Sequence, residues 1–141
     1  MRSKLFLSLA MLFISATALC QALTEKSLAG KWVPSALKTP SGNVELTVEA
    51  LTPVYGKDIA VGIAEMKRSV YLFQKNGYEL GTGNTEKGKF EIIMAGKKLL
   101  FTNGQTKKFT EASAWFENGF LVMQTVLEDG AKQTVYYKKA E

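Results

Sequence analysis

Acid–base and metal chemistry have little to draw on in this chain. Among its 141 residues there is no histidine, and the single cysteine is Cys20. The first absence removes the commonest general base, the commonest zinc ligand and the usual proximal ligand of haem. It also rules out nucleophilic triads of the Ser-His and Cys-His kinds. What remains is carboxylate: Asp58, Asp129 and eleven glutamates. Two carboxylates flanking a sugar bond could hydrolyse it. Most of these acids, however, alternate with apolar residues, as Lys89 and Glu91 do with Phe90 and Ile92, which is the pattern of a solvated strand face. No Asp-rich loop with a turn glycine offers calcium its clustered oxygens, and no phosphate-cradling glycine motif precedes a helix. The chain therefore reads as a non-enzyme without metal or cofactor.

The aromatic residues offer binding chemistry instead. Tyr71, Phe73, Tyr78, Phe90, Trp115 and Tyr136 are the candidate ligand contacts, from a set that also includes Phe101, Phe109 and Tyr137. If Phe73 faces an interior then Tyr71 does too, and Ile92 follows Phe90, because strand side chains alternate with period two. An enclosed tyrosine hydroxyl needs a partner from protein, water or ligand, which puts Tyr71 first.

The elements that must position these side chains are strands. From Ser69 onward, short apolar runs are closed by Asn76-Gly77, Asn103-Gly104, Asn118-Gly119 and Asp129-Gly130, the pairs that type I′ hairpin turns favour. Gly83-Asn84 and Ala95-Gly96 are weaker breaks. The expected strands are Lys31 to Leu37, Ser69 to Lys75, Tyr78 to Thr82, Gly88 to Met94, Lys98 to Thr102, Lys107 to Phe116, Phe120 to Glu128 and Ala131 to Lys139. Between the first two, Ile59, Ile63 and Met66 recur at helical spacing over about Lys57 to Lys67. Asp58 is placed as N-cap, and Lys67-Arg68 suits the negative end of the dipole. Val44, Leu46 and Val48 alternate and fit either a strand or the start of another helix. Consecutive hairpins without crossover helices predict an all-β fold, an eight-stranded antiparallel up-and-down barrel with a short helix between its first and second strands.

The opening residues follow a different rule. Arg2 and Lys4 precede an apolar run from Leu5 to Ala18, the pattern of a secretory leader. The run is shorter than the roughly 20 residues a membrane span needs. Cys20 and Ala22 occupy the minus-three and minus-one positions of a cut after Ala22. The expected organisation is a leader over 1–22 and one domain over 23–141, exported to the periplasm or beyond, with no disulfide and no transmembrane segment in the mature protein. Lipid attachment at Cys20 competes, but Leu19 before it is bulky where such motifs carry a small residue. The full chain has 18 basic and 13 acidic residues for a net charge of +5. Its lysines come at most in doublets, so it lacks the basic stripe of a nucleic-acid binder.

Leu28-Ala29-Gly30-Lys31-Trp32 resembles the Gly-x-Trp signature with which lipocalins and other calycins begin their barrels. Val70 to Gly77 looks like the second strand and turn of bacterial lipocalin-like domains. Gly88-Lys89-Phe90-Glu91-Ile92 looks like the Gly-x-aromatic-x-Ile strand that follows, and Thr134 to Lys139 is similar to the closing strand. The chain differs from the larger lipocalins in lacking a Thr-Asp-Tyr motif in a later loop and a helix after the last strand. The resemblance implies that Gly30 and Trp32 form the barrel floor, with Trp32 stacked against Lys138 or Lys139 of the final strand. It implies a small hydrophobic or amphipathic ligand inside the barrel. The alternative is a protein partner gripped by loops or by the exterior of a filled barrel.

N-terminal sequencing of the exported protein is expected to begin at Leu23. A blocked start at Cys20 would show lipid attachment instead.

Overall fold

The computed structural model describes residues 21–82 and 85–140. The expected leader therefore lies outside the described residues, apart from Gln21 and Ala22, and so do Cys20 and the Gly83-Asn84 break. A single antiparallel sheet of nine strands dominates the fold. Its strands are β1 (Gly30–Thr39), β2 (Gly42–Glu45), β3 (Tyr71–Gln74), β4 (Gly77–Leu80), β5 (Glu86–Ile93), β6 (Lys98–Asn103), β7 (Phe109–Glu117), β8 (Phe120–Val126) and β9 (Lys132–Lys139). From β3 to β9 each strand pairs with the next, and β1 pairs with both β3 and β9, which closes eight strands into a barrel. β2 folds back on β1 through Ala36↔Glu45 to Thr39↔Gly42. It occupies the same edge that β3 uses nearer the start of β1.

Local chemistry explains most of these boundaries. Asn118 and Gly119 both take positive φ, 52° and 83°, as a type I′ turn requires between Glu117↔Phe120. The other three expected I′ turns are built differently. Gln74 pairs with Gly77, so the β3–β4 turn is centred on Lys75-Asn76 and Gly77 starts the next strand. Asn103 ends β6, and its Oδ1 accepts from the backbone N–H groups of Gln105 and Thr106 in a wider loop. Asp129 Oδ1 accepts from the N–H of Ala131, leaving only Gly130 at positive φ. Pro34, which has no N–H to give, sits at the irregularity between Pro34 and Ala36 where β1 slips register on β9.

Three short α-helices, α1 (Glu25–Leu28), α2 (Val48–Tyr55) and α3 (Ile59–Lys67), and a 3-10 turn at Met94–Gly96 complete the described residues. α1 carries a capping box between Thr24 and Ser27. α2 resolves the ambiguous Val44–Val48 pattern, since β2 ends at Glu45 and Thr47 caps the helix by accepting from the Ala50 N–H at 3.2 Å. α3 matches the expected helix, with Ile63 buried and Ile59 and Met66 packed on the core. Asp58 stands at its N-cap but its side chain makes no capping bond. Leu51 of α2 and Ile63 of α3 join the same cluster as the barrel's inward residues, so the helix pair is part of the core.

The floor lies where β1 starts and β9 ends. Trp32 is 3% exposed, donates from Nε1 to the Leu28 carbonyl at 2.8 Å, and packs on Phe116 with ring centroids 5.7 Å apart. Lys139 Nζ stands 5.7 Å from the indole centroid, so the cation comes from Lys139. Gly30 has φ +122°, and a Cβ there would meet Lys139 Cε at 3.1 Å, which accounts for the glycine two residues before the tryptophan. Gln21 pairs with Phe116 and the Leu23 N–H donates to the Gly96 carbonyl, tying the entering chain to the same end.

Trp32→Ala is expected to cost about 3–5 kcal/mol and to lower the melting temperature by roughly 10 °C or more. Trp32→Phe, which keeps bulk and loses the bond to Leu28, should cost about 1 kcal/mol. Thermal denaturation of both variants checks the floor assignment, and an unchanged Trp32→Ala melting point contradicts it.

Candidate functional site

Six aromatic side chains from five strands converge inside the barrel. β3 supplies Tyr71 and Phe73, β4 Tyr78, β5 Phe90, β6 Phe101 and β9 Tyr137. Tyr71 stacks on Phe73 at 5.5 Å, meets Phe101 at 5.5 Å and meets the edge of Tyr137 at 5.5 Å. Phe90 stands edge-on to Phe73 at 5.1 Å, and Tyr78 edge-on to Phe101 at 4.9 Å. These are the offset and edge-to-face geometries that aromatic quadrupoles favour.

The three tyrosines differ in what their hydroxyls meet. Tyr78 donates to Glu86 Oε2 at 2.6 Å, and Glu86 Oε1 accepts from Asn103 Nδ2 at 2.9 Å. Glu86 is the first residue of β5 and Asn103 the last of β6, so both stand at the end of the barrel opposite the Trp32 floor. Tyr71 and Tyr137 make no hydrogen bond to protein through their hydroxyls among the described residues. Every polar side-chain atom sealed from solvent there has a partner. Burial, reinforced by the charge of Glu86, pushes the Tyr71 phenol up to about 12. Burial, and then Tyr71 beside it, pushes Tyr137 up as well. Tyr78 is raised by burial and then by the bond it donates to Glu86.

Of the expected contacts, the barrel brings Tyr71, Phe73, Tyr78 and Phe90 together. Trp115 and Tyr136 lie on the outer face, which corrects their placement inside. On β7 the inward residues are Ala112, Ala114 and Phe116, and Phe109 is 70% exposed. The inward side chains of β7 are thus mostly small, opposite the large rings of β3 to β6. On β9 Val135 and Tyr137 point in, so Tyr136 turns out and packs edge-on against Phe120 at 6.2 Å. Phe101 and Tyr137 were legible only as members of the aromatic set. Glu86 had no signal of its own, because an acid at a strand end reads as solvated.

A concavity lies on the outside of the barrel. A groove of about 840 Å³ runs between Gln21 and Ala22, the turn at Met94 to Lys97, and the outer residues Ser113, Trp115 and Gln124. Met94 on its rim is 65% exposed. Among the described residues no group of three or more His, Cys, Asp or Glu side chains could hold a metal ion. No described helix is long and apolar enough to cross a membrane. Comparison with protein-family models, with curated proteins and with solved structures finds no match.

The raised tyrosines carry a pH consequence. An ordinary phenol ionises near pH 10, so above that pH the unfolded chain loses protons that folded Tyr71 keeps. The resulting stability is intact below about pH 10 and drains away as pH rises towards about 12. Absorbance titration near 295 nm should show Tyr71, Tyr137 and Tyr78 silent until the protein unfolds. Full reversible ionisation of all five tyrosines near pH 10 in folded protein would contradict their enclosure.

Proposed function

We propose that this is an exported, non-catalytic, lipocalin-like binding protein whose barrel takes a small amphipathic molecule. The observation that carries the reading is the pair of enclosed hydroxyls, Tyr71 and Tyr137, set in an aromatic wall with no hydrogen-bond partner among the described residues. Apolar walls with a few placed polar groups are the usual makeup of a small-molecule site. The floor is shut by Trp32 and the chain from Leu23 to Leu28, so entry comes from the Glu86 end, beside α2 and α3. The leader pattern of residues 1–22 supports export.

A second reading has its own observation. The outer groove, with exposed Met94 and the flank of Trp115, has the size and apolar character of a contact surface for another protein. The two readings place binding on opposite sides of the same wall.

N-phenyl-1-naphthylamine, a neutral apolar fluorophore, separates them. It is expected to bind one-to-one with enhanced emission. Tyr71→Phe should weaken it by about three- to tenfold through loss of one hydrogen bond, while Trp115→Ser leaves it unchanged. Loss of binding in Trp115→Ser alone would move the site to the outer groove, and no binding would count against the interior site.

A further inference from the structure

We propose that the barrel mouth selects cationic amphiphiles, an ammonium group on an apolar body, with the Glu86 carboxylate as its counter-charge. The proposal rests on the reading of the interior as the ligand site and specifies the class of molecule it takes.

Three observations carry it. The first is direction. Glu86 is in phase with Phe90 and Ile92 along β5, and pairs across the ladder with Leu80, all three of which pack on the core. Its side chain thus shares the inner face with the aromatic cluster, and it is close enough to Tyr71 for its charge to act on that phenol.

The second is the way the carboxylate is held. Each oxygen accepts one hydrogen bond, Oε2 from Tyr78 and Oε1 from Asn103, and both donors are neutral. Asn103 is itself fixed, because its Oδ1 accepts from the N–H groups of Gln105 and Thr106. These bonds orient the charge without cancelling it. The ion pairs among the described residues are Lys87 with Glu79 and Lys98 with Glu111, so no described cation pairs with Glu86. The lysines nearest in sequence, Lys87 and Lys89, alternate to the outer face, where Lys87 reaches Glu79 at 3.2 Å.

The third is the surroundings. The Tyr78 hydroxyl bonds the carboxylate and Tyr71 lies within reach of its charge, and both of these rings pack on Phe101. Glu86 is exposed, so an ammonium arriving from solvent reaches the counter-charge first and the neighbouring aromatic rings with it. A carboxylate or sulfate headgroup would meet Glu86 as a like charge, and a neutral headgroup would leave the oriented charge unused.

Isothermal titration with three ligands of one chain length tests this on the full folded protein: dodecyltrimethylammonium, dodecanoate and dodecanol. The cation is expected to bind at least about tenfold tighter than either of the others. Glu86→Gln keeps an oxygen acceptor at the site, and should bring the cation to the affinity of the alcohol while leaving the alcohol unchanged. Should that variant fail to fold, the wild type still decides. Raising ionic strength from about 0.01 to 0.5 M should weaken the cation selectively. Equal affinity for cation and anion, or a cation indifferent to both Glu86→Gln and salt, overturns charge selection and leaves the interior site standing. Failure of all three ligands to bind overturns the interior site itself and the selection with it.

Discussion

The pairing of β1 with β9 is the constraint on which everything else in this molecule hangs. The ladder runs from Trp32↔Lys139 to Leu37↔Val135 and joins the first long strand to the last. Without it, β9 would present a free edge, and unpaired edges invite aggregation. The interior would open along the same line. Tyr137 on β9 and Tyr71 on β3 are separated by β1, and their rings meet only because β1 pairs on both sides. The joint is locked at its lower end, where Trp32 bonds to Leu28, packs on Phe116 and lies beneath Lys139. Burial of large apolar side chains around it, at about 1.5–3 kcal/mol each, makes closure and core formation one event.

Closure also dictates how the interior is divided. A barrel of eight strands has room for little more than its own side chains or one small molecule. Here the large rings come from β3 to β6 and from Tyr137, and β7 answers them with Ala112 and Ala114. β3 and β4 are only four residues long, and the helix pair between β2 and β3 brings Leu51 and Ile63 into the same core. Polarity is confined to one end. The floor is sealed by indole, leucine and phenylalanine, whereas the opposite end carries Tyr78, Glu86 and Asn103 in a connected set of hydrogen bonds. A molecule with an apolar body and a polar head matches that gradient.

Sequence reading reached the barrel because the information for it is local. Alternation and turn pairs mark β3 to β9 within a residue or two of their ends, and Gly30-x-Trp32 marks the floor. What it missed depends on neighbours distant in the chain. Phe109, Glu111, Ser113 and Trp115 alternate cleanly, but alternation does not say which set faces in, and the pairing with β6 and β8 puts Ala112 and Ala114 inside. Tyr136 and Tyr137 are adjacent, so period two admits one of them, and the register on β1 admits Tyr137. Val44 to Val48 straddles a strand end and a helix cap, two elements too short for either period to declare itself. Glu86 became visible only when Tyr78 and Asn103, eight residues before it and seventeen after it, were brought to its two oxygens.

Residue-resolved amide hydrogen exchange on the folded protein tests closure most directly. The backbone amides of the β1–β9 ladder, from Trp32 to Leu37 and from Val135 to Lys139, are predicted to exchange only through global unfolding, as slowly as those of the β7–β8 ladder. Fast exchange along β1 and β9 while β7 and β8 stay protected would show an open sheet, and the enclosed aromatic interior would be contradicted.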